Sequence, residues 1–362
     1  MCTDGLGSIR LTRLLSRFGS ALGAVRASAC AWTELGIPAT TASRARAVDR
    51  ATVARVDRQL TALGVSLVAF SDAAYPRALR HVHDSPAILL VQGHVGCLQD
   101  PCVAVVGARR SSAAGRALAT DIARELAGHG RAVVSGLARG IDGAAHRGAL
   151  SAPGATIAVV ASGQDRVYPS QHRELAGEIV RSGAVVSEYL PGVAPRPGHF
   201  PQRNRIIAGL CSAVIVVEAD LRSGSLITAR LALDAGRDVF AVPGSVGYSG
   251  SRGCNAMLRD GARLVRDSQD VLDDLRLGGC DVRKPVVPAF VPAVANSPDT
   301  ARIASELSAS PMNVDEISAV LDLPAATVLQ ALQWLQISGF AEPIAGGNWT
   351  LTTNLPIAFA NL

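Results

Sequence analysis

Short apolar runs recur through the middle of the chain, separated by stretches in which apolar side chains return every three or four positions. The runs are Leu67–Phe70, Ala87–Val91, Val103–Val106, Ala132–Ser135, Ile157–Ala161, Ala184–Glu188, Ala213–Val217 and Val239–Val242. Their length and β-branched content predict strands buried on both faces. Between the central ones, Ala117–Ala127, Ala144–Leu150, Gln171–Arg181 and Leu226–Ala235 carry helical periodicity. That alternation predicts an α/β domain over residues 67–277, a parallel sheet with helices on both faces. Ligands of such sheets bind beyond the carboxyl ends of the strands, which is where the polar motifs of this chain fall.

The flanks read differently. Residues 1–66 read as short helices: Leu11, Leu14, Leu15 and Phe18 make one apolar stripe stopped by Gly19, and a second helix is expected from about Ala42 to Leu63. A small helical domain, similar to SAM or helix-hairpin-helix units, is expected here. It shows no Gly-x-Gly hairpin, so a packing role is expected of it. Residues 278–298 are rich in proline and valine and read as a linker. In 299–362, three helix-sized segments precede two strand-like runs, Phe340–Ile344 and Trp349–Thr352, around Gly346-Gly347-Asn348. Asn313-Val-Asp-Glu316 is a capping box, Pro324 opens the third helix and Gly339 stops it. Three helices and a hairpin predict a winged helix.

Charge narrows the partners. The net charge is +5, yet residues 299–362 hold only Arg302 against six acidic residues. That segment therefore carries −5 and the first 298 residues +10, so a polyanion is expected to bind the α/β part. Lys284 is the only lysine and sits in the linker. Pyridoxal enzymes, lysine aldolases, protein kinases and Walker-type ATPases, which need a positioned lysine, are excluded. The seven cysteines include no Cys-x-x-Cys pair, which favours reduced, buried thiols over a metal site or disulfides. The longest apolar stretch, Ile206–Val217, is too short to span a membrane, and no secretory signal is evident. A cytoplasmic location is expected.

Three constellations carry chemistry. Val103–Gly107 leads into Arg109, Arg110, Ser111 and Ser112: strand, glycine turn, two arginines able to clamp phosphates, and two hydroxyls able to cap a helix. It lacks the Gly-x-Gly-x-x-Gly fingerprint, which disfavours a nicotinamide dinucleotide. Ser135-Gly136-Leu-Ala-Arg139-Gly140-Ile-Asp142 places two glycines after a strand, where backbone can approach a ligand closely. Asp142 and His146 are spaced to hold a metal or form an acid–base couple, but no third ligand or nucleophile is near. Asp142 is read as a helix cap and His146 as its packed or hydrogen-bonded neighbour.

The third constellation is Phe200-Pro-Gln-Arg203-Asn204-Arg205-Ile-Ile-Ala-Gly-Leu, followed by the strand Ala213–Val217 and by Ser223-Gly224-Ser225 at a helix start. Backbone N–H groups and hydroxyls at that start make a seat for phosphate. Phe200 beside Arg203 and Arg205 suits a single-strand groove, and both arginines are expected at its mouth. Tyr168 and Tyr189 either stack on bases or anchor packing.

Val103–Gly107 with Arg109, Ser135–Asp142 with Ala145-His146, Tyr168-Pro169, Ser187-Glu-Tyr189, Phe200–Ile207, Ser223–Thr228, Gly236–Gly244 and Gly253-Cys-Asn255 occur in one order. Together they resemble the DNA-processing protein A family (DprA, also called Smf). The resemblance implies an extended Rossmann fold, single-stranded-DNA binding, homodimerisation, and loading of the RecA recombinase onto incoming DNA in natural transformation. It implies no catalysis and no cofactor. Carried over by position, the DNA site would comprise Arg109, Arg110, Gly136, Arg139, Gly140, Phe200, Arg203, Asn204, Arg205, Ser223, Gly224 and Ser225. Several relatives place a lysine shortly before the aromatic; here Arg196, between Pro195 and Pro197, stands in its place.

Two other readings are weaker. A nucleotide phosphoribohydrolase of Rossmann type needs a Pro-Gly-Gly-x-Gly-Thr loop with a catalytic glutamate after it, whereas Leu221–Thr228 offers neither. A winged-helix transcription regulator needs basic side chains on its recognition helix, and Pro324–Ser338 has none.

Overall fold

The computed structural model describes residues 6–82, 84–278, 298–309, 311–337, 341–343 and 348–351. The chain divides into two compact units, 1–275 and 276–362.

The first unit opens with α1 (Ser8–Phe18), α2 (Ala21–Arg26), α3 (Ala29–Thr33), α4 (Ala39–Arg46) and α5 (Arg50–Ala62). Leu14, Ala24, Trp32, Ile37 and Ala42 make their small core, and the Trp32 indole N–H donates to the Ala24 carbonyl at 2.8 Å. The single helix expected from Ala42 to Leu63 is two helices. The first closes at Ala47, and Asp49, in extended backbone, caps α5 by accepting from the Thr52 N–H at 2.7 Å.

The sheet follows: β1 (Val65–Ala69), α6 (Arg77–Arg80), β2 (Ile88–Gly93), β3 (Cys102–Val106), α7 (Ala113–Gly128), β4 (Ala132–Ser135), α8 (Ile141–Leu150) and β5 (Thr156–Val159). It continues with α9 (Arg173–Ser182), β6 (Ala184–Ser187), α10 (His199–Leu210), β7 (Ala213–Val216), α11 (Gly224–Asp234), β8 (Asp238–Ala241), α12 (Arg252–Arg259), β9 (Arg263–Leu264) and α13 (Ser268–Gly278). The strand order is β1-β2-β6-β5-β4-β3-β7-β8-β9. All eight expected strands are present, joined by the two-residue β9, too short to leave a pattern.

Burial of both faces explains the unbroken apolar runs. In β3, Val103 and Val105 face a core shared with α7 and α8, while Cys102, Ala104 and Val106 face one shared with α10 and α11. Period-two alternation thus fills both layers with apolar side chains. The sheet is parallel from β6 through β9, but β1–β2 and β2–β6 are antiparallel. Strand direction is set by the connections, and an apolar run carries no sign of it; the antiparallel β1 is also only partly covered, with Leu67 exposed. Strands β3 to β6 step one way from β3, and β7 to β9 step the other. The switch point therefore lies between β3 and β7, paired from Val103↔Ala213 to Val106↔Val216.

The second unit holds α14 (Pro298–Ala309), α15 (Val314–Leu321), α16 (Ala325–Ile337) and the antiparallel pair β10 (Ala341–Pro343) and β11 (Trp349–Leu351). Its core includes Ile303, Leu307, Ile317, Val328 and Leu332. The capping box is formed: Asn313 Oδ1 accepts from the Glu316 N–H at 2.8 Å, and Glu316 Oε2 from the Asn313 N–H at 2.9 Å. Gly339, Gly346, Gly347, Lys284 and most of the expected linker lie outside the described residues.

Candidate nucleic-acid interface

A cleft of about 300 Å³ opens at the switch point, between the carboxyl end of β3 and the starts of α10 and α11. Gly107 ends β3 where a Cβ would press on Ile141 and the Glu218 carbonyl, and the next N–H, of Ala108, donates to that carbonyl at 2.7 Å. Arg109 and Arg110 then emerge exposed. Ser112 caps α7, accepting from the Gly115 N–H at 2.8 Å. Glu218, just past β7, accepts from the Ser112 N–H at 2.9 Å and from its hydroxyl. This buried carboxylate ties the two strand ends that frame the cleft. The reading of the sequence missed it, although an acid closing an apolar run was its signal.

The glycine loop after β4 reaches the floor through Ala138 and Asp142, while Gly136 and Gly140 shape the loop without lining the cleft. Ser135 donates to the Val105 carbonyl at 2.7 Å, Leu137 takes a left-handed backbone at φ 56°, and Gly140 turns at φ 77° with the Ala108 carbonyl against its Cα. A side chain at Gly140 would be strained and would overlap that carbonyl. Asp142 does not cap α8, whose N-cap is Gly140 with no side-chain bond. It folds back and accepts from the Gly136 and Ala138 N–H groups at 3.1 and 3.3 Å. Its position in the first turn aims it at the loop that precedes the helix. Burial raises its pKa, against the pull of the Arg203 charge.

Arg203 also departs from the expected position. Its side chain is not at the cleft mouth; the residue is 5% exposed, and Nη1 donates to the Gly136 carbonyl at 2.7 Å and to the Val159 carbonyl. A Cβ on Gly136 would overlap the guanidinium, so the glycine makes room for it. Burial lowers the Arg203 pKa to about 10, partly offset by Asp142, which leaves it charged at neutral pH. It contributes positive potential from below the floor.

Arg205 leaves the cleft altogether. Residues i and i+2 of a helix point roughly 200° apart, and α10 begins early enough for both arginines to obey that geometry. Arg205 Nη2 pairs with both Glu188 oxygens at 2.8 and 2.7 Å, and Nε with Asp84 at 3.0 Å. Ser8 of α1 donates to the same Glu188 at 2.7 Å. The expectation of two arginines beside Phe200 thus fails for Arg205.

Phe200 occupies the first turn of α10, half-buried, with the Arg109 guanidinium carbon 4.9 Å from its ring centroid and the exposed Tyr168 ring at 5.8 Å. Asn204 Nδ2 reaches the Gly224 carbonyl at 3.3 Å. The Ser223 and Ser225 hydroxyls are 2.7 Å apart at the start of α11, and Ser223 is its N-cap. The fold therefore gathers Arg109, Phe200, Arg203, Asn204 and Ser223–Ser225 around one cleft. Arg110, Arg139 and Arg196 are exposed and do not line it; Arg139 donates to Gln171 Oε1 at 3.1 Å. Tyr189 is an anchor, stacked on His199 at 4.1 Å and donating to Gln202 at 2.9 Å.

His146 belongs to the core. Thr156 donates its hydroxyl proton to the Val133 carbonyl and so accepts from His146 Nδ1–H at 2.8 Å, while burial pushes the imidazole pKa down to about 3. Among the described residues no three His, Cys, Asp or Glu side chains come together as a metal site. Nor is any described helix long and apolar enough to cross a membrane.

Residues 66–276 match the family model of the DNA recombination-mediator protein A, and residues 287–347 that of the DprA winged helix domain. The chain is 47% identical to the DNA processing protein DprA of Streptococcus pneumoniae over 201 residues, 56% of this chain and 71% of that one. It is 38% identical to a putative DprA of Mycobacterium tuberculosis, covering 79% of this chain and 74% of that protein. The solved Streptococcus pneumoniae DprA superposes with a TM-score of 0.67 at 38% identity, over 75% of this chain and 94% of that one. DprA from Helicobacter pylori, whose structure describes a single-stranded DNA binding mode, matches with a TM-score of 0.54 at 32% identity, over 59% of this chain and 96% of that one.

Proposed function

From the membership of this chain in the DNA recombination-mediator protein A family, we propose that it binds single-stranded DNA without cutting it, protects incoming strands and loads RecA onto them. The observation that carries this reading is Arg109 held 4.9 Å over the Phe200 ring at the mouth of the switch-point cleft. A cation and an aromatic face at one point suit a phosphate and its neighbouring base together. The glycine loop admits backbone close to the ligand, the N-terminus of α11 offers N–H groups, and Arg203 adds charge from beneath. None of these reads a base edge, so binding is largely independent of sequence. Exposed Arg110, Arg139 and Arg196 extend the basic surface beyond the cleft.

The homodimer expected of the family has a candidate surface at the far edge of the sheet. Leu221, Ile227, Leu233 and Leu264 are exposed there, around α11 and the short edge strand β9. An apolar edge of this kind favours a partner over solvent. Action in the cytoplasm, where RecA and incoming strands meet, belongs to the same reading. The phosphoribohydrolase alternative gains no support, because Glu218 is buried and engaged with Ser112.

Binding to single-stranded and duplex oligonucleotides across a salt series, with mononucleotide hydrolysis assayed alongside, tests the proposal. Preferential, salt-sensitive binding of single strands is expected. Equal affinity for duplex, or affinity indifferent to salt, would overturn it, and so would robust release of base from a mononucleotide.

A further inference from the structure

A second cleft, of about 410 Å³, lies on the other side of the glycine loop, between α9, the segment after β5, and strands β2 and β6. Four features set it apart from an ordinary surface crevice. Gln164 lines it at 7% exposure, with Nε2 donating to the Leu90 carbonyl at 2.8 Å and Oε1 buried without a partner. That hydrogen bond fixes which amide atom is the oxygen, so an unmet acceptor stands in the wall. Arg166, Arg173 and Arg181 also line the cleft, and no carboxylate does. Arg173 and Arg181 have no acidic partner among the described residues. The rest of the wall is mostly apolar, including Leu137, Val160 and Val185, with Gln92 and Ser162 among them.

The fourth feature is Gly177, in the interior of α9, where a Cβ would meet nothing nearer than Arg181 Nη1 at 3.8 Å. A mid-helix glycine weakens a helix relative to alanine. No packing constraint requires it here, and its effect is to keep the wall open.

We propose that this cleft is a nucleotide subsite, taking a base on the apolar wall beside Gln164 and a phosphate on Arg173 and Arg181. Every DNA base carries an N–H donor that can meet the Gln164 oxygen, so the subsite tolerates sequence. One segment links it to the first cleft: Tyr168 touches Phe200 and Gln171 holds Arg139, while Arg166 and Arg173 at its two ends line the second cleft. The nucleotide arrives either as part of a strand leaving the first cleft, which rests on the single-strand reading above, or as a free nucleoside monophosphate.

Wild type, R173A/R181A and G177L are titrated with dCMP, with a short single strand filling only the first cleft, and with a longer one. Both arginines are exposed and the glycine has room, so the variants fold; thermal melts verify it. Delivery on a strand leaves short-strand affinity normal and lowers long-strand affinity about tenfold in both variants, the loss of roughly one bound nucleotide. In R173A/R181A the log-affinity against log-salt slope also flattens by roughly 0.7, the loss of one phosphate contact. Free delivery instead gives dCMP binding by wild type that inorganic phosphate competes away and both variants lose. Unchanged long-strand affinity in both variants, with no dCMP binding by wild type, overturns the proposal. A wild type that binds no strand at all sinks the proposed function instead, and the dCMP titration alone then decides the cleft.

Discussion

Arg205 and Glu188 form a bidentate pair, at 2.8 and 2.7 Å, on the side of α10 turned away from the switch-point cleft. Both side chains are nearly buried, 12% and 13% exposed, and Ser8 of α1 donates to the same carboxylate. The pair therefore links the helix that carries Phe200 to the N-terminal helices. Removing one partner strands a desolvated charge on the other. Arg205→Ala is expected to lower the unfolding free energy by about 3 kcal/mol, read by denaturant titration. The salt slope of DNA binding should stay as in wild type. A normal denaturation midpoint with a flattened slope would place Arg205 on the DNA.

Arg203 offers a sharper test through pH. Asp142 is an acid whose folded pKa burial raises above its unfolded value, so it binds more protons folded than unfolded and its ionisation costs stability as pH rises. Arg203 opposes that rise, and Arg203→Ala removes the opposition while leaving the Gly136 and Val159 carbonyls unpaired. The stability gap between wild type and Arg203→Ala should therefore widen from acidic to neutral pH as Asp142 ionises. Unfolding free energies measured between those limits check this. A gap that is constant, or largest in acid, would mean that the two charges do not communicate.

How much of this was legible in the sequence depended on whether the signal was local. The runs Val103–Val106 and Ala213–Val217 announced buried strands because both faces of each are covered. At the other end of the sheet β1 and β2 read equally well as strands, yet nothing in Leu67–Phe70 or Ala87–Val91 told that they run antiparallel. Arg203 and Arg205 were singled out correctly as unusual, but their roles turned on where α10 begins. Once it starts at His199, helical geometry sends Arg203 under the glycine loop and Arg205 to Glu188. Glu218 acts on Ser112, far away in sequence, and left only the acid closing its apolar run as a sign, whereas Asp142 accepts from N–H groups four and six residues before it.

Arg109 and Phe200 should separate charge from stacking. Arg109→Ala removes about one phosphate contact and flattens the single-strand salt slope by roughly 0.7. Phe200→Ala should cost on the order of 1–3 kcal/mol of binding with little change in slope, because stacking releases few ions. Since the guanidinium lies 4.9 Å from the ring, the two losses should not add. A double-mutant cycle is expected to show coupling of about 0.5–1 kcal/mol. Strict additivity would show that the two side chains meet DNA independently.

The C-terminal unit should be dispensable for affinity. Residues 299–362 hold one basic residue against six acidic, and α16, the helix placed to read a groove in a winged helix, carries no Arg or Lys. A segment of net negative charge cannot contribute the counterion release that drives binding to a polyanion, and it weakly opposes it. A chain ending after α13 should bind single strands as tightly as the full protein, or slightly tighter at low salt. The two curves should converge as salt rises and screening removes the repulsion. Fluorescence anisotropy of both proteins across the same salt series makes the comparison. A folded truncation that has lost most of its affinity would assign the winged helix a direct place on the DNA, against its charge.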